Sequence, residues 1–268
     1  MFDKQDDKAL YDYLVAEYNH PVPVTWGDWS YLKGRRVELH SDQPWSYADR
    51  VVEAMQSARS ILDMRTGDGG KFAAFIKQQS HPMQLYATEG YAPSLAQARQ
   101  RLEPLGATVY EVHDEQLPLP DDQLDLIINR HGSYDPREVL RVLKPGHRFI
   151  TQQVGDQTNL RLHELLHTPK ALYFYPGAEP TPAWNLTYAV HELQEIGWQV
   201  IEQHEHFFST RFYDVGAVVY YLKAVPWEIP DFSVENYFDK LVEIHHLIQQ
   251  KGYLDVPFHT FFIIAQKS

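Results

Sequence analysis

The 268-residue sequence contains no cysteine. This absence excludes disulfides, thiolate metal sites and cysteine nucleophiles, and it agrees with a reducing compartment. No stretch approaches the ~20 apolar residues that a membrane span requires; the longest candidate, 215–225, is shorter and contains Lys223. The amino terminus is charged and lacks the apolar core of a secretion signal. We therefore expect a soluble, cytoplasmic protein that does not enter a membrane.

Positive charge is also scarce. The 24 lysines and arginines are outnumbered by 36 acidic residues, which gives a formal net charge of −12. Proteins that bind nucleic acids usually present a basic face, because neutralising phosphates supplies much of their affinity. The one basic cluster that stands out is Lys33–Arg36. Nucleic acid is therefore not the expected partner.

The residues that are present divide the chain into three zones. Residues 1–45 contain an amphipathic helix at about 7–18 and then an aromatic-rich segment. Residues 46–155 alternate helix and strand patterns, which is typical of βαβ units and a parallel sheet. Residues 156–268 add helices and two strands. The sequence predicts a Rossmann-like α/β fold with seven mostly parallel strands and helices on both faces. The predicted strands are 60–64, 84–88, 108–112, 124–129, 148–154, 198–206 and 258–266.

A glycine-rich turn follows the first predicted strand. Residues 63–70 have the sequence DMRTGDGG, and a helix pattern begins directly afterwards. A strand, a glycine-rich turn and a helix in this order allow a nucleotide to approach the backbone closely. A tight connection that only needs positive φ would use glycine in the same way. The turn indicates a ligand site only together with other residues.

Polar residues that could contact a ligand together with the glycine-rich turn lie at the ends of three further strands. Glu89 ends the second strand, where a carboxylate can accept both hydroxyls of a ribose. Asp114 follows the third strand, and residues 129–131 (NRH) follow the fourth. The carboxyl ends of parallel strands lie along one edge of the sheet, which is where open α/β sheets bind ligands. The sequence predicts the functional site at this edge.

The order of these motifs over residues 47–155 resembles that of class I S-adenosylmethionine-dependent methyltransferases. The glycine loop resembles their first motif, and residues 87–91 (ATEGY) resemble the acidic end of their second strand. Residues 113–122 (HDEQLPLPDD) and 141–146 (RVLKPG) resemble later motifs. A looser resemblance covers residues 210–227, which look like a segment of type 11/25-like bacterial methyltransferases without assigned acceptors.

The resemblance implies S-adenosyl-L-methionine as the cofactor. Gly67 and Gly69 would let the loop backbone approach its methionine and ribose moieties. Asp63 would orient the loop or reach the amino group. Glu89 would bind the ribose hydroxyls, and Asp114 would accept a hydrogen bond from the adenine amino group. The complete predicted cofactor set is Asp63, Arg65, Gly67, Gly69, Glu89, Gly90, Tyr91, Asp114, Glu115 and His131.

Arg65 departs from the family pattern, which usually has glycine at this position. The side chain of Arg65 would crowd the cofactor, or the backbone would need a φ that arginine tolerates poorly. Alternatively, the side chain points outward or pairs with a carboxylate. Arg65→Gly should tighten cofactor binding by about 1 kcal/mol if Arg65 is strained. It should weaken binding if Arg65 pairs with a carboxylate of the site. A non-catalytic cofactor-binding or interaction protein therefore stays open as an alternative.

Two residues are candidates for catalysis. His131, beyond the fourth strand, is a candidate general base or cofactor contact, with a structural role as the alternative. Tyr213 belongs to a segment rich in aromatic residues. We expect residues 1–45, together with insertions at 156–184 and 211–256 of a methyltransferase domain at 46–268, to form a helical and aromatic cap. The alternative for 210–227 is a packing element, including one between subunits of a homodimer.

The resemblance implies methyl transfer to a small or medium organic acceptor, with ribosomal RNA methylation as a further alternative. A nicotinamide oxidoreductase is disfavoured, because Phe72 stands at the last glycine position of its motif. No metal site is predicted. His245 and His246 point apart on a helix, and His204 and His206 lack an evident third ligand.

Overall fold

We describe the structure from a computed structural model, which covers residues 4–23, 28–39, 43–113, 115–169 and 183–268. Eight strands form one sheet around which the helices pack. The strands are β1 (Arg36–Leu39), β2 (Ser60–Met64), β3 (Gln84–Glu89), β4 (Ala107–Glu111), β5 (Leu124–Arg130), β6 (Leu143–Val154), β7 (Trp198–Phe212) and β8 (Leu254–Lys267). The helices are α1 (Lys4–Asn19), α2 (Tyr47–Met55), α3 (Gly70–Ile76), α4 (Ala92–Leu102), α5 (Pro136–Val142), α6 (Leu160–Leu166), α7 (Leu186–Glu195), α8 (Val215–Ala224) and α9 (Val234–Lys251).

The strand order is β1-β7-β8-β6-β5-β2-β3-β4. Strands β2 to β6 pair in parallel, whereas β8 is antiparallel to both β6 and β7, and β1 is antiparallel to β7. The chain proceeds from β2 outward to β3 and β4, and then returns to the other side of β2 as β5. This reversal opens a crevice at the carboxyl ends of β2 and β5, which is the usual ligand position in such sheets.

The central strands are buried on both faces, as their apolar composition predicts. All five residues of β2 are buried, which is typical of a parallel strand covered by helices on each side. Helices α2, α3 and α4 cover one face with a core that includes Phe72, Leu102 and Ile128. Helices α5 and α7 cover the other face over Leu62 and Phe149. The core thus holds the carboxyl ends of the strands in a fixed arrangement.

The sheet has eight strands rather than the seven predicted. The additional strand, β1, pairs Arg36 with Phe212 and Leu39 with Ser209 at the edge of the sheet. A four-residue edge strand has too few positions to show a periodic pattern, and its partner is far away in the sequence. The sequence of this strand, RVEL, therefore does not predict a strand.

Strands β7 and β8 extend beyond the carboxyl end of β6. Thr260 of β8 pairs with Val154, the last residue of β6, and with His206 of β7. Pairing between β7 and β8 continues for six more positions, to Phe212 and Leu254, which is about 20 Å of strand. Helices α1, α6, α8 and α9 pack around this extension in a third apolar cluster. The aromatic segment 215–224 is therefore a buried helix, and its role as a cap remains a prediction.

Within the described part of the chain, no helix is both long enough and apolar enough to cross a bilayer.

Candidate functional site

The loop between β2 and α3 forms the floor of the candidate site. Gly67 has φ +62° and Gly69 has φ +75°, a region that favours glycine. A Cβ on Gly69 would also lie 2.9 Å from the side chain of Leu102. The backbone N–H of Thr66 donates to the carbonyl of Thr88 at 2.9 Å, which fixes the loop to the end of β3. Glycine is therefore required at Gly69 by both conformation and packing.

Glu89 is buried at the end of β3 and is held by three backbone N–H groups. Gly90 and Tyr91 both donate to its Oε1 at 2.8 Å, and Gly67 donates to its Oε2 at 2.7 Å. A carboxylate offers about four lone-pair sites, so these bonds orient Glu89 without exhausting its capacity. Glu89 links the glycine loop to the loop after β3 and keeps acceptor positions for a ligand.

Asp63 is also buried, beside the same loop. The Thr66 hydroxyl donates to its Oδ2 at 2.5 Å. The pKa of Asp63 is raised to about 7, mainly by burial and also by the Glu89 carboxylate, whereas the Thr66 hydrogen bond and Arg130 oppose the shift. A carboxyl group with this pKa is poised to ionise when a cation binds next to it.

Arg65 adopts the left-handed backbone conformation, with φ +56°. Its guanidinium donates to the carbonyl of Val112 at 3.0 Å and lies 3.5 Å from Oε1 of Glu115. The side chain runs over Gly132, where a Cβ would lie 2.6 Å from that of Arg65. Arg65 therefore connects the glycine loop to the segment after β4, and it pairs with a carboxylate of the predicted cofactor set.

Glu115 presents an unsatisfied oxygen at this edge. Its Oε1 accepts a hydrogen bond from the Ser133 hydroxyl at 2.6 Å. Its Oε2 is buried and has no hydrogen-bond partner within the described residues. A buried acceptor in this state costs about 1–3 kcal/mol, which a ligand donor would recover. Asp114, the predicted adenine contact, lies outside the described residues.

His131 follows β5 and has φ +58°. Desolvation and the neighbouring cations Arg130 and Lys71 lower the pKa of His131, although the residue is exposed at the edge of the sheet. Its Nε2 lies 3.3 Å from the Nε2 of Gln152. The two cations therefore disfavour protonation of an imidazole that a ligand can reach from solvent.

A buried polar cluster fixes the backbone next to His131. The amide of Asn129 donates to the carbonyl of Met64 at 3.3 Å. The amide of Gln153 donates to the side-chain oxygen of Asn129 at 2.6 Å and to the carbonyl of Gly132 at 3.0 Å. These bonds tie β2, β5 and β6 together at their carboxyl ends. They position the loop that carries His131.

The remaining predicted residues differ in position. Tyr91 begins α4 and its side chain is exposed. Tyr213 lies just beyond β7, at the far end of the β7–β8 extension, where its N–H donates to the carbonyl of Arg35 at 2.9 Å. The structure therefore brings together every described member of the predicted cofactor set, but it separates Tyr213 from them along the strand. Aromatic density had suggested Tyr213, and that signal does not distinguish a packing segment from a site.

Three polar side chains that the sequence did not single out also contribute. Tyr47 begins α2, Lys71 lies in the first turn of α3, and Arg130 ends β5. Their charges affect one another and their neighbours: Arg130 lowers the pKa of Lys71, and Tyr47 lies within electrostatic reach of Asp63. The sequence could have indicated Arg130 as a charged residue at a strand end. In the sequence analysis it was named only as a member of the polar cluster 129–131.

A separate cavity of about 370 Å³ lies at the opposite, amino edge of the sheet. It is lined by residues that include Ser60 and Gln84, the first residues of β2 and β3. It contains neither the glycine loop nor the buried carboxylates. The glycine loop and the buried carboxylates therefore locate the candidate site at the carboxyl edge and not at this cavity.

No protein-family model matches the sequence, and a search of curated proteins also finds no match. Solved structures do resemble the chain. A candidate methyltransferase from Bacillus halodurans C-125 gives a TM-score of 0.53 at 17% identity, over 82% of this chain and 99% of its own. A functionally unknown protein from Deinococcus radiodurans R1 gives 0.55 at 14% identity, over 99% and 100%. A candidate sarcosine dimethylglycine methyltransferase from Galdieria sulphuraria gives 0.50 at 14% identity, over 98% of each chain.

The chain therefore shares the α/β fold of these structures, two of which are candidate methyltransferases. At these identities the likeness shows the fold alone, and a single fold supports many activities. Function has to be argued from the carboxyl-edge residues.

Proposed function

We propose that the protein is an S-adenosylmethionine-dependent methyltransferase that acts on a small or medium organic acceptor. The observation that carries the proposal is Glu89, a buried carboxylate oriented by three N–H groups beside a glycine loop. This arrangement suits the two hydroxyls of a ribose. The methyltransferase fold supports the same conclusion.

The other residues of the edge fit the cofactor by charge and hydrogen-bonding capacity. Asp63 is a buried carboxyl group with a raised pKa, which suits the ammonium group of the methionine moiety. Glu115 has a buried oxygen without a partner in the described chain, which suits the adenine amino group. The carboxyl groups of Asp63, Glu89 and Glu115 follow one another along the edge of the sheet. They match the three donor groups of the cofactor, which are the ammonium group, the ribose hydroxyls and the adenine amino group.

When bound, the cofactor supplies an activated methyl group on a sulfonium, and the reaction is an in-line displacement. The protein's part is to bind, orient and desolvate both partners, which can account for about 7–11 kcal/mol of the barrier. Glu89 and Asp63 would fix the position of the cofactor along the carboxyl edge of the sheet. His131 lies beyond β5 and is exposed, so it is placed as a contact for either partner. Tyr213 remains a catalytic candidate on the condition that the β7–β8 extension moves and brings it to the carboxyl edge.

One feature disfavours RNA as the acceptor. In the basic cluster Lys33–Arg36, Arg35 pairs with Asp214 at 2.6 Å and with Glu17 at 2.9 Å, and Arg36 pairs with Glu38 at 2.6 Å. These guanidinium groups are engaged inside the protein. They do not form the free basic surface that phosphate binding requires.

The proposal is tested by the release of S-adenosylhomocysteine from S-adenosylmethionine when fractionated cell extract is added. We expect release with the small-molecule fraction, and no release from Glu89→Ala. Release only with the RNA fraction would support the ribosomal RNA alternative. Cofactor binding without release from either fraction would support the non-catalytic alternative.

The contacts of Arg65 determine the expected result of replacing it. Arg65→Gly relieves a left-handed conformation worth about 1 kcal/mol. It also removes the hydrogen bond to Val112 and the ion pair with Glu115, which support the adenine side of the site. We expect the affinity for S-adenosylhomocysteine to fall about threefold to tenfold. Calorimetric titration measures it, with Arg65→Ala as the control that loses the contacts but keeps the strain. Tighter binding by Arg65→Gly would mean that Arg65 obstructs the site.

A further inference from the structure

Arg130 is a cation at the carboxyl edge that forms no ion pair with any described residue. It ends β5 and pairs across the sheet with Gln152 of β6, which in turn pairs with Phe262 of β8. Leu126 and Ile128, which alternate with Arg130 along the strand, belong to the core under α2 and α3. The Arg130 side chain is therefore on that face of the sheet. It is partly buried, and no described residue forms an ion pair or side-chain hydrogen bond with it.

For a partly buried guanidinium, the lack of an ion pair is energetically unfavourable. Burial lowers the pKa of Arg130, and the opposing effects of Tyr47, Glu38 and Asp63 do not restore the usual value. Unpaired, partly desolvated charges are uncommon in folded proteins, because removing water from them requires a compensating partner. A ligand anion would supply that partner.

Lys71 adds a second positive charge at the same place. It lies in the first turn of α3, directly after the glycine loop. Arg130 is the largest cause of the lowered pKa of Lys71, followed by burial. Two neighbouring cations repel each other, so each destabilises the other unless an anion lies between them. No described carboxylate forms an ion pair with Lys71.

Tyr47 completes the set of donors. Its side chain is only 8% exposed, and its hydroxyl has no hydrogen-bond partner among the residues described. Arg130 and Asp63 are both within electrostatic reach of it. Two residues before Tyr47, the indole of Trp45 donates to the side-chain oxygen of Gln152 at 3.0 Å, and Gln152 pairs with Arg130 across the sheet. A tyrosine hydroxyl, a guanidinium and an ammonium thus lie on three elements next to the same loop.

We propose that Arg130, Lys71 and Tyr47 form a carboxylate-binding site at the carboxyl edge, adjacent to Asp63. The carboxylate has two sources that share this chemistry: the methionine moiety of the cofactor, or a carboxylate on the methyl acceptor. The first source rests on the proposed function, whereas the anion site itself does not. Either source would place a negative charge between cations that otherwise repel each other.

The test compares wild type with Arg130→Met by calorimetry, using three probes. S-adenosylhomocysteine carries the carboxylate, 5′-methylthioadenosine lacks the amino-acid moiety, and benzoate supplies a carboxylate alone. If the cofactor is the source, Arg130→Met lowers the affinity for S-adenosylhomocysteine by about 10-fold to 100-fold and leaves 5′-methylthioadenosine within about twofold. If the acceptor is the source, S-adenosylhomocysteine binding is unchanged and benzoate no longer binds the S-adenosylhomocysteine complex.

Two further variants keep the result interpretable. Lys71→Met replaces a residue that is exposed at the start of α3, and it should reproduce the same pattern more weakly. Arg137→Met, an exposed charge on α5, should change none of the three affinities. The proposal is overturned if Arg130→Met and Lys71→Met leave all three affinities unchanged, or if 5′-methylthioadenosine weakens as much as S-adenosylhomocysteine. If wild type binds neither nucleoside, the proposed function fails, and benzoate binding to the free protein then tests the anion site alone.

Discussion

Replacing Glu89 with alanine should weaken S-adenosylhomocysteine binding by about 2–4 kcal/mol, or roughly 30-fold to 1,000-fold. The variant loses two charge-assisted hydrogen bonds to the ribose. It also leaves the N–H groups of Gly67, Gly90 and Tyr91 without their acceptor, so both flanking loops lose their fixed geometry. Calorimetric titration of the two proteins measures the loss.

A neighbouring acid provides the matched control. Glu111 ends the adjacent strand β4, and its carboxylate pairs with His113 and Arg99 at the surface. Glu111→Ala removes the same charge one strand away and should leave the affinity within about twofold. Glu89→Gln, which keeps the size and one acceptor oxygen, should lie between Glu89→Ala and wild type. Unchanged affinity in Glu89→Ala would exclude Glu89 from the site.

Asp63→Asn should change stability and binding in opposite directions. At pH 7.5 the wild-type carboxyl is ionised in a buried position, whereas asparagine is neutral and can keep the hydrogen bond from Thr66. We expect the free energy of unfolding to rise by about 1–3 kcal/mol, because the raised pKa makes ionisation costly in the fold. Binding of S-adenosylhomocysteine should weaken at least tenfold, because the ammonium group loses its counter-ion. Denaturant unfolding and calorimetry measure the two effects.

The pH dependence follows from the same shift. The pKa of Asp63 is about 7 in the folded protein and about 3.9 in the unfolded chain, so between those values the folded state holds the proton more strongly. The contribution of Asp63 to stability is therefore fully present below about pH 4 and is lost as the pH rises through 7. The stability difference between Asp63→Asn and wild type should increase from pH 5 to pH 7.5. Cofactor affinity of wild type should fall about eightfold between pH 7.5 and pH 6, and this fall should be absent in Asp63→Asn.

Asp68 is the control for that interpretation. It lies in the same loop, and although burial opposes the change, the Gly70 N–H and the Arg101 guanidinium lower its pKa. Asp68→Asn should therefore reduce stability at pH 7.5 rather than increase it. If Asp63→Asn also reduces the free energy of unfolding, then the buried Asp63 carboxylate does not destabilise the folded protein.

The sequence predicted the central sheet because its strands are short apolar runs bounded by turn residues. The strand 60–64 and the helix after the glycine loop are local patterns, and the structure contains them as β2 and α3. Glu89 became a candidate site residue because it ends such a run. The need for an unusual φ at Arg65 was also visible in advance, since it replaces a glycine. These features depend on neighbours in the sequence.

Features that depend on distant neighbours were not predictable in this way. The strand β1 exists because it pairs with the far end of β7. The sign expected for Arg65→Gly depends on Val112 and Glu115, which only the fold brings next to Arg65. The convergence of Tyr47, Lys71 and Arg130 joins three elements that are well separated in the chain. The sequence shows such residues only as single charges at the ends of helices and strands.

A crystal structure with S-adenosylhomocysteine bound tests the central claim most directly. The account predicts the ribose hydroxyls within hydrogen-bond distance of Glu89, the ammonium group beside Asp63, and a donor on the free oxygen of Glu115. A ligand bound at the amino-edge cavity, or a carboxyl edge left empty at saturating ligand, would contradict it.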